Sequence, residues 1–78
     1  MDSVTVVNGI VCISDEYEMT YLPINQIVIL KISKKPKKDG LFSVDIVTKN
    51  DENFYTKISL TEKDILLQKW LIANEIFA

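Results

Sequence analysis

Seventy-eight residues, 47% of them apolar and with only two glycines and two prolines, describe one small ordered domain (1–78) and exclude a disordered or low-complexity chain. A single cysteine excludes an internal disulfide, and with no histidine there is neither a Cys/His cluster for a metal nor a ready base for a thiol nucleophile. The net charge of −2 is unevenly laid out: residues 1–30 hold Asp2, Asp15, Glu16 and Glu18 and no base, whereas five of the nine lysines (Lys31, Lys34, Lys35, Lys37 and Lys38) crowd into residues 31–38.

The N-terminus has no basic segment followed by an apolar run, so no signal peptide is expected. No window has the roughly 18–20 apolar residues of a membrane span, and no glycosylation sequon occurs. With one unpaired cysteine these features predict an intracellular protein, cytoplasmic or nuclear. The Ile, Lys and Asn bias, with lysine as the only basic residue, is that of an AT-rich genome and fits a viral or phage origin among others. A domain this small buries only about 60–65% of its unfolded surface, so a well-packed core or association must supply its stability.

In chain order, residues 4–7 are a β-branched run, Asn8-Gly9 is a type I′ turn dipeptide, and residues 10–14 are a second run. Positive φ at both turn positions suits Asn and Gly, so strands at about 3–7 and 10–14 form a hairpin. Asp15 to Glu18 is an acidic turn containing Tyr17. A short strand at about 19–22 ends at Pro23, which lacks a ladder N–H. The strand at about 26–33 is apolar on both faces and is predicted to be central or covered on both sides. A lysine-rich loop closed by Asp39-Gly40 follows. Residues 41–49 alternate, Phe42, Val44 and Ile46 on one face against Ser43, Asp45 and Val47 on the other. After the polar turn at Asn50-Asp51-Glu52-Asn53 the alternation resumes at about 54–59.

The last stretch is the only long helical signal, at about 61–77. Ser59 and Glu62 form a capping box, and Glu62 and Asp64 put negative charge where the helix dipole favours it. Its apolar residues fall in three stripes: Leu66, Trp70, Ala73 and Phe77; Leu67 and Leu71; and Ile65, Ile72 and Ile76. The expected fold is therefore α+β, a small antiparallel meander or roll of five or six strands curled about its core, with one C-terminal helix covering the open side. One sheet face covers about half of a helix, so one stripe is left over. The isoleucines are the favoured exposed set, Leu67 and Leu71 the alternative.

The segment FSVDIVTKNDENFYTKISLTEKDILLQKWLIANEIF resembles the C-terminal half of pleckstrin-homology (PH) domains: an alternating strand, a polar turn, an aromatic-bearing strand, then a Ser/Thr-started helix with a central Trp. Phe42, Phe54, Tyr55 and Trp70 carry the resemblance, which covers about half of the chain. It implies a PH-like roll. PH domains that bind phosphoinositides carry bases on the first hairpin. Here that turn is Asn8-Gly9 without a base nearby, which favours the protein-binding use of such a fold. The strand–turn–strand–helix rhythm is also similar to LytTR-type DNA-binding domains, though the chain lacks their arginines.

No residue set suits acid–base, nucleophilic or metal chemistry, so the chain is read as non-enzymatic and without a cofactor. Asp15, Glu16 and Glu18 read as an acidic turn, not a cation site. Cys12 reads as a small buried apolar residue and Trp70 as core. The expected function is a protein–protein interaction module, with another protein or a second copy of the chain as partner, and a subunit or inhibitor acting within a larger complex is one form of it. Its expected contact residues are Ile65, Ile72 and Ile76, with Tyr17 and Tyr21 as interface aromatics. The alternative is an anionic-surface binder, meeting phosphoinositide or nucleic acid through Lys31, Lys34, Lys35, Lys37 and Lys38. The competing reading of that loop is a solvated hairpin tip that blocks edge pairing.

Overall fold

The computed structural model describes the backbone of residues 2–77 and the side chains of residues 2–75. Six antiparallel strands and a C-terminal helix make a compact α+β fold, with strands β1 (Ser3–Val7), β2 (Ile10–Ser14), β3 (Met19–Pro23), β4 (Ile27–Ile32), β5 (Phe42–Thr48) and β6 (Asn53–Ile58) and helix α1 (Leu60–Phe77). The strands form two three-stranded sheets, β1-β2-β3 and β4-β5-β6, rather than one continuous meander. The break is a 3-10 turn at Ile24–Gln26, a step that the sequence reading lacks. Pro23 has no N–H for a further ladder, and the chain leaves the first sheet there. The turn is tied at both ends: Ile24 N–H donates to the Gly9 carbonyl at 2.8 Å, and Lys49 N–H to the Gln26 carbonyl at 2.9 Å.

Asn8 and Gly9 have φ of 50° and 77°, the two positive values that a type I′ hairpin requires. β5 alternates buried and half-buried residues throughout its length, and Phe42, Val44, Ile46 and Thr48 face the core. β4 departs from expectation. It is an edge strand of the second sheet, and Val28 and Ile29 are 47% and 44% exposed. The reason is a register shift against β5 between Ile27 and Ile29, which leaves Val28 as an extra, unpaired residue. Ile27, Leu30 and Ile32 therefore turn towards the core, and the apolar run that suggested a doubly covered strand records a bulge.

The core joins both sheets. Val4, Val11, Ile13 and Leu22 come from the first, Val44, Ile46 and Ile58 from the second, with Ile24 and Ile27 from the junction and Leu66 from the helix. Helix α1 is fastened to an edge strand of each sheet. At its start the capping box forms: Glu62 N–H donates to Ser59 Oγ at 3.3 Å, and Glu62 Oε1 accepts from Ser59 N–H at 3.2 Å. The other carboxylate oxygen, Oε2, accepts the N–H of Val4 on β1 at 2.7 Å. In mid-helix, Trp70 Nε1 donates to the carbonyl of Ile27 on β4 at 3.0 Å. A donor of β1 and an acceptor of β4 that no neighbouring strand meets are thus satisfied by helix side chains. No helix among the described residues is long and apolar enough to cross a membrane.

Candidate interaction surfaces

The helix presents a narrow arc to the sheets. Leu66 is fully buried, and Trp70 and Ala73 pack partly buried against the core. Both flanks of that arc reach solvent. Ile65 and Ile72 on one side are each 44% exposed, and Leu71 on the other is 54% exposed, while Leu67 is half-buried. The sequence reading left one stripe over. Two remain because the two sheets hold the helix by its central stripe and wrap neither side. Ile76 and Phe77 lie outside the described side chains.

A second exposed apolar surface lies on the first sheet. Its strand register places Ser3, Ser14 and Met19 in one row, Thr5, Cys12 and Tyr21 in the next, and Val7, Ile10 and Pro23 in the third, all on the face away from the core. Val7 and Tyr21 are each 64% exposed, Met19 57% and Ile10 39%. None of the nine residues is charged. Cys12 sits half-buried at the centre of this outer face, not in the core as its strand neighbours suggested. The Tyr21 hydroxyl donates to Met19 Sδ at 3.8 Å, and the adjoining Cys12 sulfur, whose negative form repels a phenolate, pushes the Tyr21 phenol above its usual range.

Pro23 belongs to this face and also to a hollow of about 380 Å³ between the β1–β2 turn and the helix, where Val6, Ile24, Ile72 and Ala73 supply apolar walls. The hollow links the isoleucine flank of the helix to the Val7–Ile10–Pro23 row. Tyr17, 91% exposed, stands apart on the acidic turn. There Asp15 accepts the N–H groups of Tyr17 at 2.7 Å and Glu18 at 2.9 Å. These bonds, the Tyr17 one first, hold the Asp15 carboxyl below its usual range. The carboxylate thus serves the turn itself, and among the described residues no group of three His, Cys, Asp or Glu side chains is placed to hold a metal ion.

The second sheet has a different outer face. Lys31, Asp45 and Tyr55 form one row, and Ser43 pairs with Lys57 in the next, where Ser33 N–H reaches the Ser43 carbonyl at 3.0 Å. The lysine loop beside it is folded. Lys37 N–H donates to the Leu41 carbonyl at 2.9 Å, Gly40 N–H returns to the Lys37 carbonyl at 2.8 Å, and Asp39 Oδ1 accepts Leu41 N–H at 3.0 Å. Gly40 has φ +80°, which favours glycine at that corner. Lys31, Lys34, Lys35, Lys37 and Lys38 are all exposed.

Of the expected contact residues, Ile72 lines the hollow, Tyr21 stands on the sheet face one row from Pro23, which also lines it, and Tyr17 does not join them. The uncharged sheet face was not anticipated, although its signal is in the sequence: residues 3–14 contain no charged side chain, and their outward set is as free of charge as their inward set. No family model, curated protein or solved structure matches the chain.

Proposed function

We propose that the chain is a non-enzymatic protein–protein interaction module whose contact surface is the outer face of the first sheet, continued past Pro23 to the isoleucine flank of the helix. The observation that carries this reading is the uncharged three-by-three field on β1–β3, with Val7, Ile10, Met19 and Tyr21 in solvent. A sheet of a monomeric domain ordinarily carries charge on its solvent side. An apolar field without charge has little to desolvate, and Tyr21 has the amphipathic character of an interface anchor. Strands and helix in this order, with Trp70 turned towards the sheets, also support a reduced PH-like roll put to protein binding. The partner is another protein. A second copy of the chain is the competing occupant, which light scattering distinguishes.

The test compares the wild-type chain with Tyr21→Lys, Ile10→Lys and Ile72→Glu. Proteins retained from a host extract are identified by mass spectrometry, solution mass is measured by light scattering, and thermal melting serves as the folding control. A discrete partner retained by the wild type and lost from the Tyr21 and Ile10 variants, at unchanged melting, is expected. Retention and mass unaffected by all three substitutions contradict the reading.

A further inference from the structure

We infer that the free edge of β3 is a strand-addition site, where a short extended segment of another protein pairs with the backbone of Met19 and Tyr21 as a fourth strand of the first sheet. The inference shares the protein-binding reading above but uses the edge of the sheet, not its outer face.

The hairpin register shows which backbone groups are free. Asp15 N–H donates to the Glu18 carbonyl at 3.0 Å, and Ile24 N–H to the Gly9 carbonyl at 2.8 Å. Bonded pairs alternate in an antiparallel ladder, so Thr20 and Leu22 bond to β2, and Met19 and Tyr21 turn their N–H and C=O groups away from it. No group among the described residues meets these four.

The other edges are blunted. On β1 the Glu62 carboxylate takes the Val4 N–H. β4 carries a bulge at Val28 and Lys31, and Trp70 takes its Ile27 carbonyl. β6 carries Lys57 and lies against β1. β3 has no lysine, no bulge and no capping side chain; only Pro23, at its end, limits it. Such an edge is a template for another strand.

There is room for one. A groove of about 420 Å³ is lined by Thr20, Tyr21, Leu22 and Pro23 on one side and by Thr48, Glu52 and Phe54 on the other. Four consecutive strand residues alternate between faces, so the groove follows the edge itself. An added strand sits about 4.8 Å from β3. One set of its side chains then lies over Leu22 and Phe54, and the other joins Met19 and Tyr21 on the uncharged outer face. Both sets are therefore apolar or hydroxyl-bearing. Glu52 is the only charged residue lining the groove, and Glu18 precedes Met19, so the segment carries basic rather than acidic flanks. A second copy paired through the same edge would bring its own Glu52 wall into this groove, which a single extended segment does not.

The probe is an acetylated, amidated peptide of three Val-Thr pairs flanked by lysines, titrated into the isotope-labelled full-length chain and followed by two-dimensional NMR. Saturable shifts centred on the amides of Met19 to Leu22 and of Glu52 are expected, with slowed hydrogen exchange at Met19 and Tyr21. Tyr21→Pro removes an outward donor without touching the ladder to β2 and is expected to weaken binding about tenfold relative to Tyr21→Ala. Ile10→Lys, on the outer face, is expected to leave it unchanged. Glutamate flanks are expected to weaken binding, and Glu52→Lys to reverse that preference. The melting temperature of each variant controls for folding. No saturable shift, equal binding by Tyr21→Ala and Tyr21→Pro, or a preference for glutamate flanks overturns the site. Binding lost with Ile10→Lys but kept with Tyr21→Pro places the peptide on the outer face and overturns the edge alone. A dimer in light scattering whose Met19 and Tyr21 amides are already protected overturns the foreign segment as occupant.

Discussion

The two sheets are built alike on the inside and differ on the outside. Each is a three-stranded antiparallel meander, and each turns an apolar face, mostly of Val and Ile, towards the common core. Outward, the first sheet presents Thr5, Val7, Ile10, Cys12, Met19 and Tyr21 without a charge, whereas the second presents Lys31, Ser43, Asp45, Tyr55 and Lys57. Core formation demands only the inner pattern. The outer pattern is unconstrained by packing within the chain, so a departure from ordinary polar solvent faces points to what lies outside it. In the acidic N-terminal half three of the four negative residues, Asp15, Glu16 and Glu18, sit in one turn, and the outer face of the sheet beside them is neutral.

The shared core is the first place to break this comparison. Leu66→Ala empties a fully buried position between the sheets and is expected to cost about 2–5 kcal/mol. Urea unfolding followed by Trp70 fluorescence and by circular dichroism is expected to give one coincident transition. Two separated transitions would mean that the sheets are independent units. Next in size is Glu62→Ala, which removes the capping box and leaves the Val4 N–H without its partner, at about 1–3 kcal/mol. Trp70→Phe keeps most of the packing but strands the Ile27 carbonyl, and about 1 kcal/mol in the same unfolding measurement is expected.

The smallest effects sharpen the contrast between the faces. Ile10→Lys and Tyr21→Lys alter exposed positions, so stability is expected to stay within about 0.5 kcal/mol of wild type while partner retention falls. The tyrosines offer a direct comparison. Tyr21 is shifted upward beside the Cys12 sulfur, and Tyr55 downward beside Ser43, Lys37 and Lys57. Tyr55 is therefore expected to ionise at lower pH than Tyr21 when both rings are followed by NMR in one sample. The linkage signs are opposite. A phenol lowered in the folded state favours folding increasingly as pH rises through its folded value, and a raised one disfavours it once pH passes the unfolded value. Cys12→Ala is expected to lower the Tyr21 value and leave that of Tyr55 in place. On the acidic turn, the Asp15 carboxylate favours the folded chain above its unfolded value, and that contribution is lost as pH falls through its folded value.

The elements were legible where local chemistry decides them. Asn8-Gly9 specified a hairpin, the strict alternation of residues 42–48 specified a half-buried strand, and Ser59 with Glu62 marked the helix start. What escaped was set by tertiary geometry. The run at residues 27–32 was apolar on both faces, a pattern that a doubly covered strand and a bulged edge strand share. Only the register against β5 separates them. Glu62 could be assigned to a cap, but its bond to Val4 spans 58 residues, and the Trp70 bond to Ile27 spans 43. The site was legible in composition more than in place. The isoleucine stripe was read from helical periodicity, and Tyr21 from its place beside the acidic turn. The field around Tyr21 became visible only when three strands were laid side by side, because charge is absent from it and an absence has no motif.

The most direct measurement is retention of host proteins on the wild-type chain beside an Ile10→Lys, Tyr21→Lys double variant and a Lys31→Ser, Lys57→Ser double variant of equal melting temperature. If the uncharged sheet is the docking surface, the first variant loses the retained partner and the second keeps it. A partner that stays with the first variant and leaves the second would contradict that assignment.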